Sequence, residues 1–312
     1  MASVKKEFTF PSASGLCDIS AMSFLPENKD SIKAVLQIAH GMAEHKERYE
    51  AFAERLNENG IAVYISDHLG HGKSVANDDE LGYFGEKDGW LNFIEDCRSL
   101  MKIAQEENPG KPYIFFGHSM GSFVARSFSA KFGDELAGAV FMGTSGPNPA
   151  ASAGQLISKL VAAFKGDHYR SKTIDKIAFG SYNKRTQNRT AFDWLSRDDF
   201  QVDKYIADPY CGFLFTAYGY RDMMGLLKSV SSKDWFANFP KALPVLLLSG
   251  ADDPVGTYGA GVTKVKDLLE AAGKENVTMK LYDEGRHEIL NESALFDTVC
   301  ADLVAWIDGV LA

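Results

Sequence analysis

Tyr113-Ile-Phe-Phe-Gly117-His118-Ser119-Met120-Gly121-Ser-Phe-Val-Ala-Arg126 is the stretch that decides the fold. Four β-favouring apolar residues run into G-x-S-x-G, and a segment of helical character follows. A strand that reverses into a helix within two residues forces the central serine into a strained backbone conformation, which only small neighbours permit. The same turn lifts the serine hydroxyl clear of the backbone, beside the N-terminal end of a helix whose partial positive charge favours anions. Ser119 is therefore the candidate nucleophile, with Gly117, His118 and Gly121 as its supports.

Working outward, further short apolar runs fall at residues 34–39, 61–65, 137–142, 245–248 and 277–282. Segments of helical period separate them: Tyr49, Phe52, Ala53 and Leu56; Trp90, Ile94, Cys97, Met101 and Ala104; Phe296, Val299, Leu303, Trp306, Ile307 and Val310. Strands this apolar are expected to be buried on both faces of a parallel sheet covered by helices. Residues 7–10 and 19–25 have no helix between them and predict an antiparallel hairpin at one edge. After Met142-Gly-Thr-Ser-Gly-Pro-Asn-Pro149 the rhythm stops for about ninety residues, too long for a structureless loop. A helical insertion is expected there. Its segment Leu156, Ile157, Leu160, Val161 and Phe164 is expected to pack on its own domain, with transient contact to a membrane or micelle as the alternative.

A serine hydroxyl needs a general base, and the base needs an orienting carboxylate. On a sheet of this kind they follow the nucleophile in the order acid, then histidine, each just past a strand. His287, in Gly285-Arg-His-Glu288, is the one histidine beyond both Ser119 and the insertion. Asp252 and Asp253 both follow the 245–248 run; Asp253 is favoured, in part because Pro254 holds it extended and in part on the family resemblance given below. Asp283 and Glu284 are nearer His287 in sequence but poorly placed to orient it. The oxyanion of an acyl-transfer intermediate requires backbone N–H donors. Met120, next to the nucleophile, and Met42, in the loop His40-Gly41-Met42-Ala43-Glu44-His45, are the expected pair, with His40 and Gly41 supporting.

The 312 residues carry a net charge of −9, which argues against nucleic acid as a partner and against durable attachment to anionic lipid. Cys17, Cys97, Cys211 and Cys300 are widely spaced and are expected to be reduced. No apolar run reaches the ~18 residues of a spanning helix, and Lys5 and Lys6 stand where a secretory signal needs its apolar core. The expectation is a cytoplasmic protein without cofactor. Neither His40, Glu44 and His45 nor Asp67, His68 and His71 has the spacing of a metal site, so no metal is expected and a hydrogen-bonded scaffold is.

Five segments, His40–Tyr49, Asp67–Ser74, Gly117–Gly121, Gly250–Val255 and Gly285–Glu292, together resemble the α/β-hydrolase superfamily, in its monoacylglycerol lipase and lysophospholipase-like branch, grouped with serine aminopeptidases. The resemblance implies an α/β-hydrolase fold with a mostly parallel eight-stranded sheet flanked by helices. It implies a core of residues 1–146 and 241–312 and a helical cap of residues 147–240. It also implies a triad of Ser119, Asp253 and His287, oxyanion donors at Met42 and Met120, and a small-molecule acyl ester as substrate: a monoacylglycerol, a lysophospholipid or a short-chain or aryl ester. Phe192–Arg197 and Asp208–Phe213 are similar to stretches of bacterial lysophospholipase-like members. The alternative reading is an aminopeptidase or amidase with the same triad, its substrate ammonium taken by Asp193, Asp198, Asp199 or Asp203. A binding protein on a hydrolase scaffold is the remaining one. The sequence specifies no oligomeric state.

Overall fold

A computed structural model describes residues 3–312. The strands are β1 (Ser3–Pro11), β2 (Asp18–Pro26), β3 (Ala34–Ala39), β4 (Ile61–Ser66), β5 (Tyr113–His118), β6 (Gly138–Met142), β7 (Val245–Gly250) and β8 (Val277–Tyr282). They form one sheet in the order β1-β2-β4-β3-β5-β6-β7-β8. The expected hairpin is present: β1 pairs antiparallel with β2, and β2 antiparallel with β4. The other neighbours are parallel.

Strands β3 to β7 are buried along their whole length, as their apolar runs require. β8 differs from expectation. Its residues 277–281 alternate between half-buried and exposed and Tyr282 is buried, so at this edge of the sheet one face is largely uncovered. Helices α1 (Glu50–Asn57) and α10 (Phe296–Leu311) cover one face, burying Phe52, Ala53, Leu56, Val299, Leu303 and Ile307. Helices α2 (Trp90–Glu107), α3 (Met120–Phe132) and α9 (Ala260–Ala271) cover the other.

Register places the site. Ala39 is level with Gly117, Gly117 with Phe141, and Met142 with Leu248. The loops that leave β3, β5, β6 and β7 therefore emerge along one edge, where carboxyl ends of parallel strands leave a crevice for ligands.

Between β6 and β7 lie five helices and, among the described residues, no strand: α4 (Ala151–Lys165), α5 (Lys172–Phe179), α6 (Asp199–Ala207), α7 (Ala217–Val230) and α8 (Lys233–Asn238). The last four are started by side chains. Ser171, Asp198, Thr216 and Ser232 each accept an N–H of the first turn, donors that a helix leaves without internal partners. The expectation for α4 needs correction. Its buried positions are Ala151, Ser158 and Ala162, whereas Leu156, Ile157, Leu160 and Phe164 are exposed and Val161 is half-buried. Small side chains let α4 approach α7 closely (Met224 Sδ lies about 3 Å from the Cβ position of Gly154), so the large apolar residues are turned outward.

Burial depth sets the outcome of truncation. Phe116 is 0% exposed and Phe164 84% exposed. Phe116→Ala is expected to cost about 3–5 kcal/mol in urea denaturation, and Phe164→Ala less than about 0.5 kcal/mol.

Candidate active site

Ser119 occupies the β5–α3 turn with φ 54° and ψ −121°, a region that a side chain adopts only when its surroundings compel it. The compulsion is crowding. A Cβ at Gly117 would overlap the carbonyl of Gly121, and one at Gly121 would overlap the carbonyls of Ala39 and His40. The start of α3 is thus driven against the end of β3. Ser119 N–H donates to Met142 O at 3.0 Å, and Ser122 N–H and Oγ–H both donate to Ser119 O. Ser119 as a whole is half-buried.

His287 follows β8 and is 2% exposed. Its Nδ1–H donates to Asp253 Oδ2 at 3.0 Å. Asp253 is fully buried and held by Val255 N–H at 2.8 Å and, more loosely, by Ser249 Oγ–H at 3.4 Å. Asp252 is exposed, as is Asp283, and Glu284 pairs with Arg197. Of the two aspartates, the structure brings Asp253 to the imidazole. His287 Nε2 is buried with no hydrogen-bond partner among the described residues. A buried polar atom left open in this way calls for a function, because burying it costs free energy. The ring lies over the end of β6, with Cε1 3.0 Å from where a side chain at Gly143 would begin. That is one residue beyond Met142, whose carbonyl holds Ser119.

The β3–α1 loop completes the crevice. Gly41 lies so near Ser119 that a Cβ there would be 3.2 Å from Ser119 Cβ. Gly41 N–H donates to Glu44 Oε1 at 2.5 Å, which leaves the next amide, Met42 N–H, without an acceptor among the described residues. Met120 N–H belongs to the first turn of α3 and likewise has none within the helix.

Beneath these groups runs a buried charged network. Arg48 forms a two-pronged pair with Glu288 at 2.7 and 2.8 Å and also binds Glu44. Tyr49 O–H donates to Glu44 Oε1 at 2.9 Å. His118 Nε2–H donates to the carbonyl of His287 at 3.2 Å, and its Nδ1 faces Glu44 at 3.3 Å. Burial opposes a charge on His118, but the bond to Glu44 and that carboxylate's charge outweigh it and raise the pKa. The same two effects, with Arg48 foremost among the charges, leave Glu44 well below the usual carboxylate range despite its burial. Sequence reasoning assigned no role to Arg48, Tyr49 or Glu288. Their presence beside Glu44 in one motif, and beside His287 in another, was the available signal.

His40, His68 and His71 form the anticipated scaffold. His68 N–H donates to His40 Nε2 at 2.9 Å, and the rings of His40 lie 4.3 and 5.2 Å from those of His68 and His71. Burial, and for His40 and His71 the neighbouring imidazoles, favours the neutral forms: His40 is held well below 6.5, His68 at about 4 and His71 at about 3. Asp67 accepts from Lys46 N–H, Lys46 Nζ and Lys73 N–H, tying this cluster to the β3–α1 loop.

The inserted segment reaches the site through residues 193–197. Arg286 donates to the carbonyls of Asp193 and Ser196, and Glu288 N–H to that of Leu195 at 2.7 Å. This lays Trp194 against His287, ring centroids 5.1 Å apart, with Tyr182 edge-on to Trp194 at 5.0 Å. Neither aromatic was picked out from the sequence; a tryptophan between Asp193 and Arg197 was the only cue.

A strained serine at a strand–helix turn and a carboxylate-bound histidine, both at the carboxyl edge of such a sheet, define an α/β-hydrolase. Residues 30–294 match the family model described as serine aminopeptidase, S33. The monoacylglycerol lipase of Mycolicibacterium smegmatis is 31% identical, the match covering 88% of both chains. The monoglyceride lipase of Homo sapiens is 27% identical, over 88% of this chain and 82% of that one. A crystal structure of a highly thermostable carboxyl esterase from Bacillus coagulans, in complex with glycerol, superimposes with a TM-score of 0.92 at 31% identity, covering 99% of each chain. The chain belongs to the S33 serine aminopeptidase family of α/β-hydrolases, in its monoacylglycerol lipase-like branch.

Two outcomes follow from this geometry. Asp253→Asn is expected to lower kcat by about 10⁴ by favouring the wrong imidazole tautomer, whereas Asp252→Asn leaves steady-state ester hydrolysis within about twofold, its side chain being exposed. The histidine cluster gives the second. The unfolded chain takes up protons near pH 6.5, but the folded cluster does not until about pH 4 or below. Stability should fall as pH drops through that window, by ~1.4 kcal/mol per pH unit for each histidine. His71→Phe should reduce that slope by one proton in urea titrations at successive pH values.

Proposed function

We propose that Ser119, His287 and Asp253 are the catalytic triad of a serine carboxylester hydrolase, with Met42 and Met120 N–H as its oxyanion donors. The observation that carries this reading is the imidazole of His287, bound to Asp253 through Nδ1 and left open at Nε2 beside the Ser119 turn. The protein is a carboxylester hydrolase, in keeping with its lipase and esterase relatives.

Nδ1–H donates to Asp253, so Nε2 carries the lone pair that accepts the Ser119 proton as Oγ attacks the ester carbonyl. Met42 and Met120 N–H stabilise the oxyanion, each donor contributing on the order of 10²–10³ in kcat. The imidazolium, stabilised by Asp253, returns its proton to the departing alcohol. Water, deprotonated by the same nitrogen, then releases the acid and restores Ser119.

The proposed substrate is a fatty acyl monoester of glycerol, supported by the monoacylglycerol lipases among its relatives and by the glycerol in the Bacillus coagulans esterase. We read residues 147–240 as a cap that sets this choice, with Trp194 and Tyr182 beside the imidazole. The outward Leu156, Ile157, Leu160 and Phe164 would rest transiently on the substrate's micelle or membrane, and a charge of −9 keeps that contact brief. No helix among the described residues is long and apolar enough to cross a membrane. Four free cysteines support a reducing, cytoplasmic setting.

The aminopeptidase alternative lacks its acidic pocket. Asp193 accepts from Arg189 N–H and from Thr190 N–H and Oγ–H, Asp198 caps α6 and meets Ser293, and Asp199 and Asp203 are exposed beside Arg189.

Ser119→Ala and His287→Ala should each lower kcat by on the order of 10⁶, the double variant losing no more than either alone. Ser119→Ala should also abolish labelling by a fluorophosphonate. Rates on monooleoylglycerol, lysophosphatidylcholine, a hydroxycinnamoyl ester and an aminoacyl anilide decide the class: faster cleavage of the anilide would overturn the ester reading.

A further inference from the structure

We propose that His45, Asp208 and Cys211 form a binding site for one divalent transition-metal ion of the zinc type, where the β3–α1 loop meets the loop after α6. His45 Nε2 lies 2.9 Å from Asp208 Oδ2, across 163 residues of sequence. One nitrogen, one carboxylate oxygen and the Cys211 sulfur all fall within 4.8 Å of one another. This explains why the motif around His45 offered no complete ligand set: its partners arrive from the inserted segment.

The donor set selects the ion. Thiolate with imidazole excludes the hard, oxygen-seeking calcium and magnesium and suits zinc or cobalt. Three protein ligands leave a fourth, tetrahedral position for water. Bond lengths of about 2.0–2.3 Å put the donors of such a site roughly 3.3–3.8 Å apart, so the widest separation, at most 4.8 Å, closes by about 1 Å and the His45–Asp208 pair, at 2.9 Å, opens slightly.

The surroundings hold the ligands for this purpose. His45 Nδ1–H donates to Glu47 Oε2 at 2.7 Å, which turns Nε2 towards Asp208 and Cys211. A carboxylate behind a ligating histidine is the usual outer partner in zinc sites. Asp208 Oδ1 accepts from Tyr210 N–H at 2.8 Å, and Cys211 N–H donates to Asp208 O at 3.1 Å, so one turn presents both ligands. Cys211 is 8% exposed, while the Asp208 side chain is 28% exposed and provides the way in.

Burial opposes a charge on His45, but its bonds to Glu47 and Asp208 outweigh it and raise its pKa. Burial also keeps the Cys211 thiol protonated, as do Asp208, Glu44 and Glu288, while Arg48 works the other way. The metal would bind the thiolate and so release the Cys211 proton. It would then cross-link two loops already joined at Ala43, whose carbonyl accepts from Gly212 N–H and Tyr205 O–H, each at 2.9 Å.

The test uses the purified full chain and cobalt(II) alone as the probe, with zinc affinity read by competition against a chromophoric chelator. One equivalent of cobalt should bind and give a thiolate-to-cobalt charge-transfer band in the near ultraviolet. Cys211→Ser should abolish the band, Cys17→Ser should leave it intact, and Glu47→Gln should weaken zinc binding by about 10- to 100-fold. Absence of the band in the native sequence, or its persistence in Cys211→Ser, would overturn the proposal. No readout involves hydrolysis, so the outcome is independent of the catalytic assignment.

Discussion

The close approach of α3 to the end of β3 is the constraint on which the site depends. With no side chain at Gly121, the first turn of α3 packs on the carbonyls of Ala39 and His40. That contact fixes Ser119 at φ 54° and brings the β3–α1 loop into van der Waals range of its Cβ. A residue held in this region costs about 1–3 kcal/mol, a cost met by the wholly buried strands on either side. One contact thus turns Ser119, aims the first amides of α3, and sets the neighbouring loop where its amide could serve the oxyanion of the proposed mechanism.

Placing the histidine is a separate problem, because it belongs to a loop beyond the edge strand. β8 offers little burial, so the loop after it is held by bonds to other parts of the chain. Arg286 and Glu288 bind the backbone of residues 193–197, and Glu288 binds Arg48 from the opposite side. His118, next to the nucleophile, holds the His287 carbonyl. The imidazole is therefore fixed by the nucleophile's own neighbour, by the β3–α1 loop and by the insertion together. Buried ion pairs contribute little net stability when desolvation is counted, but they allow few alternative geometries. For a base that must meet a hydroxyl in one orientation, that restriction is the useful property.

Legibility in the sequence followed the range of the forces. Strand positions, the edge hairpin and the Gly117–Gly121 turn were readable because they rest on apolar runs and on a steric rule acting over five residues. Asp253 could be preferred to Asp252 in part because Pro254 restricts its neighbour. What could not be read depends on pairings across the chain, such as Arg48 with Glu288, or Trp194 with His287. Helix α4 failed for another reason. Periodicity locates an apolar stripe but does not say which stripe packs, and here Ala151, Ser158 and Ala162 win because small residues permit the closer contact.

The outward apolar face of α4 and the inward placement of Trp194 belong to one arrangement. The segment between β6 and β7 is anchored near the base by residues 193–197 and near the oxyanion loop by Tyr205 and Gly212, while α4 packs on α7. Contacts at the crevice thus hold residues 193–197, while exposed apolar side chains lie on α4 and also on α5 and α6, as Ile177, Phe200 and Ile206. The proposed hydrolysis of single-chain lipids sets two tasks, meeting an aggregate and holding one ester bond still. Under that proposal, dividing them between separate elements would let α4 meet a lipid surface while the imidazole keeps the bond to Asp253 that orients it.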